Sequence, residues 1–269
     1  MGVNKMTGIV IYKHYLKRIW QMPLDTLGLT ALPLLLWFIN TQLFQAGPDE
    51  EAYVVMFLAF LFMASFQFFS MSPLLDFLYT DFQGVMRLRL GTAPCTKRSF
   101  VIASFLAAWT FALVAGGIFV AVTALGFGVN WGNLGVVILV IALLSTMAQL
   151  IAVLLFFFTK TRGVAEGMVY AVGFGVMILS GGFGDLLGIE TEGVARTIIV
   201  FLSTYGTPVS LARNAMIAAG NFEIPMEIAE LLNIADVAGT GYYLGILGAV
   251  TVALGLLTYL VVTTRKKEI

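Results

Sequence analysis

Charge is what this 269-residue sequence has least of: 11% of its residues are Asp, Glu, Lys or Arg, 59% are hydrophobic, and the mean hydropathy is +0.95. Soluble domains carry roughly 25% charged and 45–50% apolar residues, so a water-soluble fold is excluded. Cysteine occurs once (Cys95), which excludes an internal disulfide and a thiolate metal cluster. Histidine also occurs once (His14), which leaves no His-based zinc site. Fifteen basic residues balance fifteen acidic ones, so nucleic acid is not an expected partner. No G-x-x-x-x-G-K-[ST], H-E-x-x-H or G-x-S-x-G motif is present, so no P-loop and no hydrolase signature offers chemistry. The chain is expected not to be an enzyme and to hold no metal or cofactor itself.

Apolar runs are what is there. A helix rising about 1.5 Å per residue needs ~20 apolar residues to cross ~30 Å of hydrocarbon. Six stretches reach that length, at 24–45, 53–78, 100–128, 134–158, 164–182 and 240–263. None shows the alternation of a membrane β-strand. The pattern predicts an all-α integral membrane protein of six spans, residues 1–269 forming a single transmembrane domain.

Basic residues in short loops set orientation. Thirteen of the fifteen fall on one side: Lys5, Lys13, Lys17 and Arg18 before span one, Arg87, Arg89, Lys97 and Arg98 after span two, Lys160 and Arg162 after span four, and Arg265–Lys267 after span six. Both termini are therefore expected in the cytoplasm of a multi-pass cell-membrane protein, with the first span retained rather than cleaved.

Three segments lie outside the spans. In 5–22, Ile9, Tyr12, Leu16, Ile19 and Trp20 recur at helical spacing opposite Lys13, His14, Lys17, Arg18 and Gln21. That reads as an amphipathic helix in the membrane interface, touching lipid, or simply as a positive flank that sets topology. The loop 81–99 alternates Val85, Met86, Leu88 and Leu90 with Arg87 and Arg89. A short surface helix open to a cytoplasmic partner fits it, and so does an ordinary positive-inside loop. In the external segment 181–240, two apolar stretches (Val194–Leu202 and Pro208–Ala219) are each too short to cross. A re-entrant helical hairpin is expected there, broken around Tyr205 and Pro208.

Intramembrane ionisable groups are expensive and often functional. Asp76 and Glu166 stand near the basic ends of spans two and five, where an ion pair and a transport role are equally open readings. Gln67 and Gln149 lie deeper, placed for hydrogen bonds between helices or for lining a path. None of the acids on the basic side (Asp25, Asp76, Asp81, Glu166, Glu268) sits at a midplane position.

At the 81–99 loop the sequence resembles the membrane subunits of ABC-2 type ATP-binding-cassette exporters. Asp81, Gly84, the stretch Val85-Met86-Arg87-Leu88-Arg89-Leu90, Thr92 and Pro94 take the places of that family's acidic residue, glycine, basic-apolar run and proline before span three. Tyr205-Gly206-Thr207-Pro208 through Arg213 is similar to its stretch before the last span. The resemblance implies an ATP-driven exporter of a hydrophobic or amphiphilic substrate (drug, lipid, peptide or glycan). It implies two copies of a cytoplasmic ABC ATPase, which would bind the ATP and Mg, and pairing with a second copy of the chain or a homologous permease. Asp81, Gly84, Val85, Met86, Arg87, Leu88, Arg89 and Pro94 would couple to the ATPase, together with the interface helix carrying Tyr12, Lys13, Leu16, Lys17 and Trp20. Phe62, Met63, Phe66, Gln67 and Phe69 of span two would line the substrate path, and Tyr205, Pro208 and Arg213 would belong to the hairpin. The alternatives are an ion-gradient-driven secondary carrier and a non-transporting scaffold or immunity subunit.

Overall fold

The computed structural model describes residues 3–43, 48–83, 97–182, 201–222 and 239–264, and these are helices joined by short turns. We number the helices α1 (Val3–Trp20), α2 (Pro23–Leu43), α3 (Pro48–Phe66), α4 (Met71–Leu78), α5 (Lys97–Phe127), α6 (Leu134–Phe158), α7 (Arg162–Met177), α8 (Pro208–Gly220) and α9 (Thr240–Thr264). Five rods are long and apolar enough to cross a bilayer: Ala52–Gln83, Arg98–Phe127, Leu134–Phe158, Arg162–Gly181 and Thr240–Thr264. α2 adds a 21-residue helix with Pro33 inside it.

The rod 52–83 is the axis of the chain. Of its apolar window, 94% is buried inside the protein, against 17% for that of α9, so the other helices are built around span two. Aromatic and methionine side chains fill its surroundings, with Phe60, Phe62, Met63, Phe68 and Phe77 almost fully covered. The rod is not continuous α-helix. A 3₁₀ turn, Gln67–Ser70, joins α3 to α4. Pro73 explains it: proline has no N–H to give to the carbonyl four residues back, and its ring crowds that carbonyl. The preceding turn tightens in response.

Helix ends follow the sequence. Asn133 caps α6, its side chain accepting from Gly135 N at 3.0 Å and Val136 N at 3.3 Å. Thr207 caps α8 by accepting from Ser210 N at 3.0 Å, with Pro208 at the first helical position. In the turn between α5 and α6, Gly132 has φ +59°, and a Cβ there would meet Gly220 Cα at 2.6 Å. Only glycine fits this close approach. It seats the end of α8 at the far end of α5 from its basic N-terminus.

Candidate functional site

The densest polar cluster among the described residues ties α1 to spans two and five. α1 turns Ile11, Tyr15 and Ile19 inward, a stripe of period four buried against the bundle. Arg18 follows on the same side. It lies over the Phe77 ring at 4.8 Å, an arrangement that favours a cation. Its guanidinium spans two carboxylates, Nη2 reaching Asp76 Oδ2 at 3.2 Å and Nη1 reaching Asp81 Oδ1 at 3.1 Å. Arg162, at the start of α7, gives Nη1 to Asp76 Oδ1 at 2.6 Å and Nε to Glu166 Oε1 at 2.6 Å. Tyr15 donates its hydroxyl to Asp81 Oδ2 at 2.6 Å, and Thr80 donates to Asp76 at 3.3 Å.

Local backbone makes this pairing possible. Residues five apart on an α-helix point about 140° away from each other at 3.6 residues per turn. A π turn over Tyr79–Gln83 widens the coil and brings Asp76 and Asp81 round to one guanidinium. The carboxylates are 6% and 4% exposed. Charges so buried persist only when several donors replace water, and each aspartate has at least two. Burial, and then the Asp81 carboxylate, push the Tyr15 phenol well above its ordinary pKa, so it stays a donor.

A second polar set crosses the middle of the bundle. Ser145 of α6 donates to Gln67 Oε1 at 2.9 Å, and Gln149 Nε2 donates to the Ser70 carbonyl at 3.0 Å. The Ser70 carbonyl, in the 3₁₀ turn that precedes Pro73, is thus met by a side chain of α6. On the opposite flank, the Phe69 ring fills the space above Gly173 of α7, where a Cβ would stand 2.7–2.9 Å from the ring.

A third set lies at the far end. Arg213 of α8 has no exposed surface. It donates to the Ser180 carbonyl at 3.0 Å, the Ser203 carbonyl at 2.9 Å and Asn214 Oδ1 at 3.2 Å, and lies over the Phe57 ring at 4.6 Å. Asn214 donates to the Thr204 carbonyl at 2.7 Å. These carbonyls belong to two π-type turns, Ile178–Gly182 and Leu202–Gly206, at the ends of helical stretches. A guanidinium is suited to them, since helix C-termini leave unpaired acceptors and carry partial negative charge.

The residues expected from the sequence fall as follows. Asp81 faces inward to Tyr15 and Arg18; Gly84, Val85, Met86, Arg87, Leu88, Arg89 and Pro94 lie outside the described residues. On α1, Tyr12 and Leu16 are half-buried and Lys13, Lys17 and Trp20 are exposed. Tyr12 donates to Thr110 Oγ1 of α5 at 3.1 Å. Phe62, Met63, Phe66, Gln67 and Phe69 all point into the chain's own interior. Beside Met63, Phe66 and Gln67 a space of about 10 Å³ remains, the room of a single water. Tyr205 stacks on Tyr243 of α9 (6.4 Å, 14°), and Pro208 and Arg213 open and anchor α8. The first arm of the expected hairpin, 194–200, is outside the described residues, as are 223–238 and the basic tail 265–267.

Both ionisable residues left open by the sequence, Asp76 and Glu166, are in ion pairs. Gln67 and Gln149 bond between helices. Sequence reasoning put Arg18 on a polar outer face and did not single out Tyr15. The signal was available in charge alone: two aspartates at the basic end of an otherwise acid-free span require cations, and Arg18 is the basic residue of α1 nearest the membrane.

Residues 8–218, more than half of the chain, match the family model described as ABC-2 type transporter. The chain matches no curated protein.

Proposed function

The chain belongs to the ABC-2 type transporter family, and from that premise we propose that it is the membrane subunit of an ATP-driven exporter. It is a multi-pass membrane protein and the transmembrane component of an ABC transporter. In our reading α2 is the first of six spans, both termini are cytoplasmic, and the segment around α8 is a re-entrant external hairpin in the cell membrane. The chain itself has no P-loop. Two cytoplasmic ATPase subunits would bind ATP and Mg and supply the energy, and a second copy of the chain or a homologous permease would complete the path.

One observation carries this reading: α1 is joined to the ends of spans two and five by Arg18, Tyr15, Asp76, Asp81 and Arg162. A push on α1 or on the loop beginning at Asp81 is then delivered to both spans at once. Mechanical coupling of this kind needs rigid, contiguous contacts with charges that cannot easily separate. Because the aromatic residues of span two are packed inside the chain, we place the path on the faces that α2 and α7 leave open. Leu35 and Phe38 on α2, and Met168, Tyr170 and Phe174 on α7, are exposed there. Such a surface suits a hydrophobic or amphiphilic substrate.

The test is reconstitution in liposomes with and without a partner ABC ATPase that co-purifies with the chain, using a panel of amphiphiles. Export that requires both subunits and ATP is the expected result. Movement by the chain alone on an ion gradient would identify a secondary carrier instead. A complex whose ATP hydrolysis no amphiphile stimulates would identify a scaffold or immunity subunit. Arg87→Glu with Arg89→Glu should abolish assembly or stimulated hydrolysis.

A further inference from the structure

We propose that the groove between α1 and α5 is a binding site for an anionic phospholipid, with an acyl chain between the two helices and the headgroup against Arg98 and Lys13. The groove has a volume of about 520 Å³, within the range of built ligand sites. Gly8, Ile9 and Tyr12 form one wall, and Ile102, Leu106 and Trp109 the other. Ile9, Ile102 and Leu106 are 59%, 47% and 44% exposed, so the groove is lined by apolar surface that no other described part of the chain covers.

Charge selects the occupant. Neither α1 nor α5 contains an acidic residue. Arg18 is taken up by Asp76 and Asp81, whereas Lys13 and Arg98 are exposed and make no ion pair among the described residues. Arg98 stands one helical turn before Ile102 on the groove-facing stripe, next to the lining residue Ser99. Lys13 stands one turn after Ile9, beside Tyr12. Cations at the mouth of an apolar cleft match a phosphate head on a hydrocarbon tail.

Level in the membrane agrees. Tyr12 and Trp109 lie in the groove with their polar atoms engaged, Tyr12 to Thr110 and Trp109 Nε1 to Thr146 Oγ1 at 3.1 Å. Trp109 stands about 16 Å beyond Arg98 along α5, the depth that an acyl chain reaches beneath a headgroup held at Arg98. A zwitterionic lipid would bring a phosphate too, but its own ammonium group offsets that charge beside the two cations. A soluble anion would pair with them but leave the cleft open to water. Beside Gly8 the groove is open, since an added Cβ there would meet nothing within 4 Å.

Trp109 is itself the probe. The full chain is placed in phosphatidylcholine vesicles containing a minor fraction of either brominated phosphatidylglycerol or brominated phosphatidylcholine. Fluorescence quenching is then compared between the natural chain and Trp109→Phe, so that the difference isolates Trp109. The expected result is about a thirtyfold preference of the Trp109 signal for the anionic lipid, the combined effect of two surface cations. Lys13→Gln with Arg98→Gln should remove the preference. Gly8→Leu, whose Cβ meets nothing within 4 Å, should remove the quenching while leaving the thermal midpoint unchanged. Equal quenching by both lipids, quenching that survives Gly8→Leu, or a Trp109 that no brominated lipid reaches would each overturn the assignment. The proposal requires only that the chain lies in a bilayer, so its outcome is separate from that of the transport assay.

Discussion

Tyr15 and Asp81 are 66 residues apart in the chain and 2.6 Å apart in the fold, the phenolic hydroxyl of one donating to the buried carboxylate of the other. This bond fastens α1 to the π turn that ends the rod 52–83. Arg18 reinforces it from one turn away, and Arg162 extends it to α7.

Tyr15→Phe is predicted to lower stability by about 2 kcal/mol, the worth of a hydrogen bond to a charged acceptor. Asp81→Asn should cost at least as much, because it leaves Arg18 facing a neutral amide. The double variant should cost less than the sum of the two. Thermal unfolding of the purified chain in detergent, run as a double-mutant cycle, reads the coupling.

The two arginines are not equivalent. Arg18 is one-quarter exposed and serves both aspartates, whereas Arg162 is half exposed. Arg18→Ala is therefore predicted to lower the unfolding midpoint clearly more than Arg162→Ala, whose pair is screened by solvent. Equal shifts would show that exposure is not what separates them.

Two pairs of glycines give opposite expectations within single helices. At Gly173 an added methyl meets the Phe69 ring at 2.7–2.9 Å, and at Gly116 it meets Gln67 Nε2 at 2.7 Å. Gly167 and Gly117, on the same helices, have open space. Gly173→Ala and Gly116→Ala should each destabilise by about 1–3 kcal/mol through overpacking. Gly167→Ala and Gly117→Ala should be neutral or slightly stabilising, since alanine favours helix. Unfolding midpoints of the four variants check this, and in a Phe69→Ala background Gly173→Ala should cost nothing further.

Arg213→Met keeps an unbranched stem but leaves the Ser180 and Ser203 carbonyls without their donor, so a loss of about 1–3 kcal/mol for each stranded acceptor is expected. Arg213→Lys should recover only part, because an ammonium cannot reproduce the planar fork. Yield of folded chain after detergent extraction is the measurement.

Local signals in the sequence were enough for much of the fold. Span four runs over the residues that the hydropathy pattern indicates because Asn133 caps its start and polar Thr159-Lys160 follows its end. Pro73 alone accounts for the break in span two. Span two's central position was not legible, since an apolar helix inside a bundle and one facing lipid have the same composition. For the same reason Phe62, Met63 and Phe66 suit a substrate path by type, yet they fill the interior. Arg18 and Arg213 show the larger gap: their partners lie 58, 63, 33 and 10 residues away. Helical periodicity ranks a cation as outward-facing and cannot see a distant acceptor.

The central claim, that the α1 joint transmits force from a partner ATPase, is tested most directly by stimulated ATP hydrolysis. Tyr15→Phe combined with Arg18→Gln would be assembled with the ATPase in nanodiscs beside the natural complex. The account predicts that the variant still assembles and hydrolyses ATP at the basal rate, while the increase caused by an amphiphilic substrate disappears. An assembled variant stimulated as strongly as the natural complex would contradict it.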